Sequence, residues 1–192
     1  MRKPTNVRFI RRLIYLALYL HRHYAPKLQL LDPQFRRSHK NYLIQVGLAT
    51  AALFAILLLV DSLSDAALAV GLGSSAIIIF LSPSYRSASL RGLVGGHSLG
   101  IIIGLVCSLL LFSTPLEDSL TSTLRAVILA VSLGLLMLAM STTDTEHPPA
   151  AGTVLGIGVK PLEMDVLYII IGAVLLLALI KFLLHRYLHD LI

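Results

Sequence analysis

The residues best suited to chemistry in this chain crowd into one short stretch, TDTEHPPAAG, residues 143–152. It carries two carboxylates, Asp144 and Glu146, one histidine, His147, and two adjacent prolines. A second histidine, His97, stands in VGGHSLG, and two hydroxyls, Ser74 and Ser75, close the run GLGSS. Histidine titrates near neutral pH, so either ring is suited to accept, hold or pass on a proton. The types in DTEH are also metal ligands, but His97 is distant in sequence and no ligand spacing is completed. No phosphate-cradling loop is present, nor a Ser-His-Asp order with a supporting context. No catalytic residue, metal or cofactor is therefore expected. An enzyme working through His147 and Glu146 remains the alternative.

The elements that must position these groups are unusual. Of 192 residues, 56% are hydrophobic and only 14% charged. A soluble domain has no interior large enough for that much apolar surface, whereas lipid is a solvent that accepts it. Several uncharged runs approach the roughly 20 residues that a helix needs to cross a hydrocarbon core of about 30 Å. The sequence describes an integral membrane protein. The single cysteine, Cys107, lies in an apolar run and has no internal partner.

The net charge is +6, and ten of the sixteen Lys and Arg precede Asn41. Residues 1–40 read as a separate basic segment, and 41–192 as the membrane domain. A basic block beside membrane spans points to cytoplasmic retention and anionic lipid headgroups rather than nucleic acid. Within it, VRFIRRLIYLALYLHRHYA has a core too short to span and no small-residue cleavage site, so it is not read as a signal peptide. It fits a helix lying in the interface, with Arg8, Arg11, Arg12 and Arg22 near headgroups.

Six apolar segments follow, at 42–60, 66–81, 92–112, 126–140, 148–159 and 166–184. The second and fifth are short and interrupted. The order is long, short, long, then long, short, long, which suggests two halves of three segments. Sliding the second half back by 78 positions lays Pro161 on Pro83, and Gly152-Thr153 on Ser74-Ser75. If every segment crosses from a cytoplasmic N-terminus, Asp61 and Asp65 fall outside, and Arg86 and Arg91 inside. Glu117 and Asp118 then fall outside, with Arg125 a mild exception, and Lys181 and Arg186 inside. That obeys the positive-inside rule, places both termini in the cytoplasm and inverts one half relative to the other. The competing arrangement has four full spans with the second and fifth segments re-entrant; it puts Arg86 and Arg91 outside.

The short segments carry the functional expectation. About twelve helical residues reach roughly 18 Å, half a membrane. An extended 141–147 adds about 23 Å, so the two together can cross. Pro148 biases His147 away from helix, and proline suits a first helical turn. A helix that starts inside the bilayer leaves N–H groups without partners and a partial positive charge at the same end. Such an end attracts anions. The same device is expected in the second segment, loosened by Gly71 and Gly73 with Ser74 and Ser75 as caps. Paired interrupted segments in corresponding positions are the best sequence pointer to a transporter's site. Asp144 reads as a solvated turn. Gly92, Gly96, Gly100, Gly104 and Ser108 form a small-residue ridge for close helix approach, within the chain or between subunits. Gly47, Ala51 and Ala55 form a weaker one.

TEHPPAAGTVLGIG, GLGSSAIIIFLSP and RGLVGGHSLG, in their order along the chain, are similar to the HPP family of integral membrane proteins, named for the motif at His147-Pro148-Pro149. The resemblance runs from about residue 41 to residue 184 and leaves out the basic N-terminal segment. It implies four membrane spans, where the charge pattern favours six crossings. Members of plant chloroplasts and cyanobacteria are associated with nitrite transport, so the resemblance implies a small anion, nitrite first. Many relatives read more like GSFGAS where this chain has GLGSS, which leaves the choice of anion open.

The expected protein is thus an all-α transporter or channel of two inverted three-segment halves, each with a short broken helix. Its place is the bilayer of a bacterial inner membrane, with a homo-oligomer compatible. A small anion is expected near mid-membrane, held by backbone N–H groups near Gly73, Ser74, Ser75 and Ala76 and near Pro149, Ala150, Ala151 and Gly152, and assisted by Ser74, Ser75 and Thr153. His147 or His97 supplies charge compensation or a proton, so flux is expected to rise as pH falls. A membrane-embedded enzyme and a non-transporting scaffold or sensor are the other classes.

Overall fold

The structure is a computed structural model that describes Tyr15 and residues 33–59, 66–113 and 120–192. The interfacial arginines and the loop acids Asp61, Asp65, Glu117 and Asp118 lie outside those residues. Contacts divide the chain into two units, Met1–Arg37 and Ser38–Ile192, and the bundle belongs to the second.

Six helices are described: α1 Pro33–Leu59, α2 Ala66–Leu81, α3 Leu90–Phe112, α4 Ser122–Thr143, α5 Ala150–Gly158 and α6 Met164–Leu184. A single 3-10 turn, Arg86–Ala88, links α2 to α3, and no strand occurs among the described residues. Four helices are long and apolar enough to cross a membrane: α1 from Ser38, α3, α4 and α6. Ser38 itself has non-helical backbone (φ −131, ψ 28). The helices are apolar all round rather than striped, as helices surrounded by lipid and by one another should be. Phe54 and Leu58 on α1, and Val131 and Met137 on α4, stand exposed on the bundle's outside.

Starts and stops follow local chemistry. Ser89 caps α3 by accepting from the Gly92 N–H at 2.9 Å, and Thr121 caps α4 through the Leu124 N–H. The α4 helix ends at Asp144, which adopts the left-handed conformation (φ 57, ψ 41). Aspartate tolerates that conformation better than bulkier side chains.

Contacts at the helix ends give the direction of every element. Gln45, early in α1, donates to the carbonyls of Phe80 and His189. The Leu191 N–H reaches Leu81 O, and Lys181, late in α6, donates to Pro83 O. Arg91, at the start of α3, donates to Thr143 O at the end of α4. The start of α1, end of α2, start of α3, end of α4 and end of α6 therefore share one end of the bundle. The segment from Thr145 to Lys160 departs from that same end beside α3: Gly92 faces Glu146 O, Gly100 faces Ala150 O, Gly104 faces Ile157, and Ser108 donates to Lys160 O. From Gly92 to Ser108, about 24 Å of α3 is matched along its length. All six elements thus alternate in direction. Four helices have spanning length, and α2 and α5, of 16 and nine residues, are shorter. Alternation alone does not establish a two-half inverted repeat.

Two expectations about the short segments need correction. The α2 helix is not broken at GLGSS: Ala66–Leu81 is one continuous helix of 16 residues. The Ser74 hydroxyl donates back to Val70 O at 2.6 Å, and Ser75 Oγ lies 3.0 Å from Gly71 O, so the helix stays closed at the turn that the glycines were expected to open. The stretch before α5 is also shorter than expected, because α4 stays helical through Thr143. The α5 helix itself has nine residues, not twelve.

Packing rests on absent side chains. Without a hydrophobic force between helices in lipid, association depends on van der Waals contact, which small residues allow at backbone range. A Cβ on Gly152 would stand 2.6 Å from Gly71 Cα and 2.7 Å from Ala67 O, so α2 and α5 touch backbone to backbone. A Cβ on Gly96 would meet His147 Cβ at 2.6 Å, and one on Gly100 would meet Ala150 O at 2.9 Å. The ridge of α3 therefore receives the 145–160 segment of the same chain. On the weaker ridge of α1, Gly47 has no neighbour among the described residues within 4 Å of a built Cβ. Ile56, Leu72, Ile79, Leu93, Ile170 and Leu177 fill the main apolar core.

Candidate functional site

Three elements meet around one hydroxyl. Ser75, midway along α2, is fully buried, and its Oγ lies 2.9 Å from Nε2 of His97 and 2.9 Å from Nε2 of His147. His97, on α3, places its other nitrogen, Nδ1, 2.8 Å from Thr153 Oγ1 on α5. His147, in the turn before α5, places Nδ1 2.6 Å from Ser87 O in the 3-10 turn. The two rings are 5.0 Å apart, centroid to centroid, and tilted by 57°. His97, His147, Ser75 and Thr153 are each 1% exposed or less. Their polar atoms are satisfied within the protein, and no buried side-chain nitrogen or oxygen among the described residues lacks a partner.

Local sequence explains each placement. Pro148 and Pro149 hold the chain out of helix until Ala150, which keeps the His147 ring beside Gly96 and directed at Ser75. The glycine ridge of α3 admits the ring because a methyl group at Gly96 would occupy its Cβ position. Ser75 and Thr153, which the 78-residue slide superposes, lie against opposite nitrogens of His97.

The cluster sits off centre. His97 is seven residues into a helix of 23, about 10 Å from the end that carries Arg86 and Arg91. Toward that end the Thr145 side chain packs on Gly95 and Glu146 O faces Gly92, and Asp144 pairs with Arg86 at 2.7 Å and more loosely with Arg91 at 3.9 Å. Asp144 is thus a half-exposed clasp between the start of α3 and the end of α4 rather than a simple solvated turn.

The expected backbone contribution is largely occupied. The N–H groups of Ala150, Ala151 and Gly152 donate to the carbonyls of His147, Pro148 and Pro149 in tight turns. Gly73, Ser74, Ser75 and Ala76 lie inside continuous helix, where their amides belong to the helical ladder. Of the sequence-derived set, the structure brings His147, His97, Ser75 and Thr153 together. Gly73 and Ala76 stay apart from this cluster. Ser74, Pro149, Ala151 and Gly152 instead line an open groove of about 440 Å³ between α2 and α5. Sequence reasoning missed Ser87, which contributes a carbonyl that no side-chain motif announces. Gly71, expected to loosen the helix, instead meets Gly152 backbone to backbone at the lining of that groove. Among the described residues no group of three or more His, Cys, Asp and Glu is placed to hold a metal ion.

A family model described as HPP, transmembrane region, matches residues 34–190. No curated protein and no solved structure matches the chain.

Proposed function

From the premise that the chain belongs to the HPP transmembrane family, we propose that it carries a small inorganic anion across the membrane, nitrite being the first candidate. One observation carries the reading: two histidines, a serine and a threonine are buried together where two short helices meet inside an apolar bundle. Ionisable groups in such a place are costly and mark ion or proton paths. The groove lined by Ser74, Pro149, Ala151 and Gly152 offers an approach to the cluster from between α2 and α5. Passage requires the Gly71–Gly152 contact to part, after which the Thr153 and Ser75 hydroxyls become available to the anion. The His147–His97 pair supplies the counter-charge by taking up a proton, so flux rises as pH falls. The basic N-terminal segment meets anionic headgroups, and the Arg86/Arg91 end faces the cytoplasm.

The test is nitrite flux into proteoliposomes, wild type beside His147→Ala, with chloride, nitrate and formate as competitors. The expected result is flux in the wild type that falls at least about tenfold in the variant, the loss that removing about 1.4 kcal/mol of favourable interaction produces. No flux of any of the four anions through correctly inserted, folded protein would overturn the reading in favour of a scaffold or sensor.

A further inference from the structure

The hydrogen bonds around Ser75 have a direction, and one atom sets it. Ser87 O is a carbonyl and only accepts, so His147 Nδ1, 2.6 Å away, carries a proton. A neutral imidazole has one N–H, so His147 Nε2 presents a lone pair. Ser75 Oγ, 2.9 Å from it, must donate. That uses the only proton the hydroxyl has. His97 Nε2, also 2.9 Å from Ser75 Oγ, must then be the donor of that contact. His97 Nδ1 is left with a lone pair, and Thr153 donates to it. The order is Thr153 to His97 to Ser75 to His147 to Ser87, and the two histidines are opposite tautomers.

A third neighbour of Ser75 is unused in this arrangement. Gly71 O lies 3.0 Å from Ser75 Oγ and has a lone pair to spare beyond its helical bond. If hydronium delivers a proton to the His147 Nε2 lone pair, breaking one of its O–H bonds and leaving water, that nitrogen becomes a donor to Ser75 Oγ. The hydroxyl then turns to Gly71 O, and His97 continues to donate to Ser75. No heavy atom moves, no bond other than the new N–H forms, and every contact stays satisfied. A second proton, on His97 Nδ1, would face the Thr153 hydroxyl proton and put two cationic rings 5.0 Å apart.

The surroundings do not supply another acceptor. No titratable side chain occurs on α2 or α5. His97 faces His147 from α3. Arg91 of α3 and Arg86 of the 3-10 turn are engaged at the exposed end with Asp144, and Glu146 is exposed. On α6, Lys181 is bonded to Pro83 O and Asp165 lies in the opposite end's first turn.

We propose that Ser75, His147 and His97 form a store for one proton, in which the Ser75 hydroxyl swings from His147 to the Gly71 carbonyl as the proton binds, and that this proton travels with the anion. The storage half stands on the geometry alone; the coupling half rests on the function proposed above.

The experiment uses full-length protein with ¹⁵N-labelled histidine in lipid bilayers, read by solid-state NMR, with His97→Gln and His147→Gln spectra to assign the two rings. At about pH 8, His147 is expected as the Nδ1–H tautomer and His97 as the Nε2–H tautomer. On acidification to about pH 4, His147 alone gains a second N–H. Ser75→Ala should abolish the tautomer preference of His97, and Ser75→Thr should restore it. Identical tautomers, simultaneous protonation of both rings, or no protonation of His147 by that pH would overturn the store. Nitrite and proton uptake are then measured in the same liposomes, with one proton expected per nitrite. Nitrite flux without proton uptake overturns the coupling and leaves the anion reading intact. The expected spectra with no flux of any anion support the store and overturn the anion reading.

Discussion

The two short helices look alike in sequence and differ in structure. Both α2 and α5 are glycine-rich, uncharged and too short for an ordinary span. Yet α2 runs unbroken through Gly71, Gly73, Ser74 and Ser75, while α5 begins only after a non-helical turn ending in Pro148 and Pro149. Glycine permits a break without requiring one, and a serine hydroxyl can return to the carbonyl four residues back and keep the turn closed. Two prolines leave the chain less choice, since each lacks an N–H and restricts the residue before it. The consequence is a division of labour. The α2 helix presents a hydroxyl from the side of a rigid rod, and the proline turn presents an imidazole to it from a helix start.

The sharpest way to break this pairing is at the point where the helices touch. Gly152→Ala places a methyl group against backbone atoms of α2 that cannot turn aside, and is expected to cost about 3 kcal/mol or more. Gly134→Ala, on the outward side of α4 with nothing within 4 Å, is expected to be neutral or to gain up to about 1 kcal/mol. Unfolding temperatures in detergent compare the two directly; equal effects would mean that α2 and α5 do not meet at these glycines.

A smaller effect separates the neighbouring serines. Ser75→Ala strands both histidine nitrogens and is expected to cost about 1–3 kcal/mol. Ser74→Ala removes only a bond to Val70 O beside the open groove, and a change within about 0.5 kcal/mol is expected. Equal destabilisation in denaturant titrations would contradict the central place given to Ser75.

The smallest effect belongs to the clasp at the end of α4. Asp144→Asn keeps a residue suited to the left-handed conformation and loses the ion pairs with Arg86 and Arg91, which are more than half exposed on the arginine side. A loss of at most about 1 kcal/mol, shrinking further in high salt, is expected. A loss that salt does not reduce would show that the aspartate acts through its backbone or a neutral hydrogen bond instead.

Much of this protein was legible in the chain because lipid is a simple solvent. An apolar run can only be a helix there, so the all-α class, the positions of the helices and the expectation of alternating direction follow from hydropathy and charge. His147, His97, Ser75 and Thr153 stood out too, since a polar residue in an apolar run carries a cost that must be compensated, and the fold buries them together. The glycine ridge of α3 announced a close neighbour, though not which one. What remained was decided between segments distant in sequence. Whether α2 breaks depends on what its serines bond to, and both options satisfy the backbone locally. That His147 meets Ser75 across 72 positions, that Ser87 supplies its other partner, and that the amides opening α5 are already taken are matters of where helices cross. The crossing is set by which Cβ atoms are missing on both sides at once, Gly71 with Gly152 and Gly96 with His147. A sequence records each absence singly; only the folded chain matches one to the other.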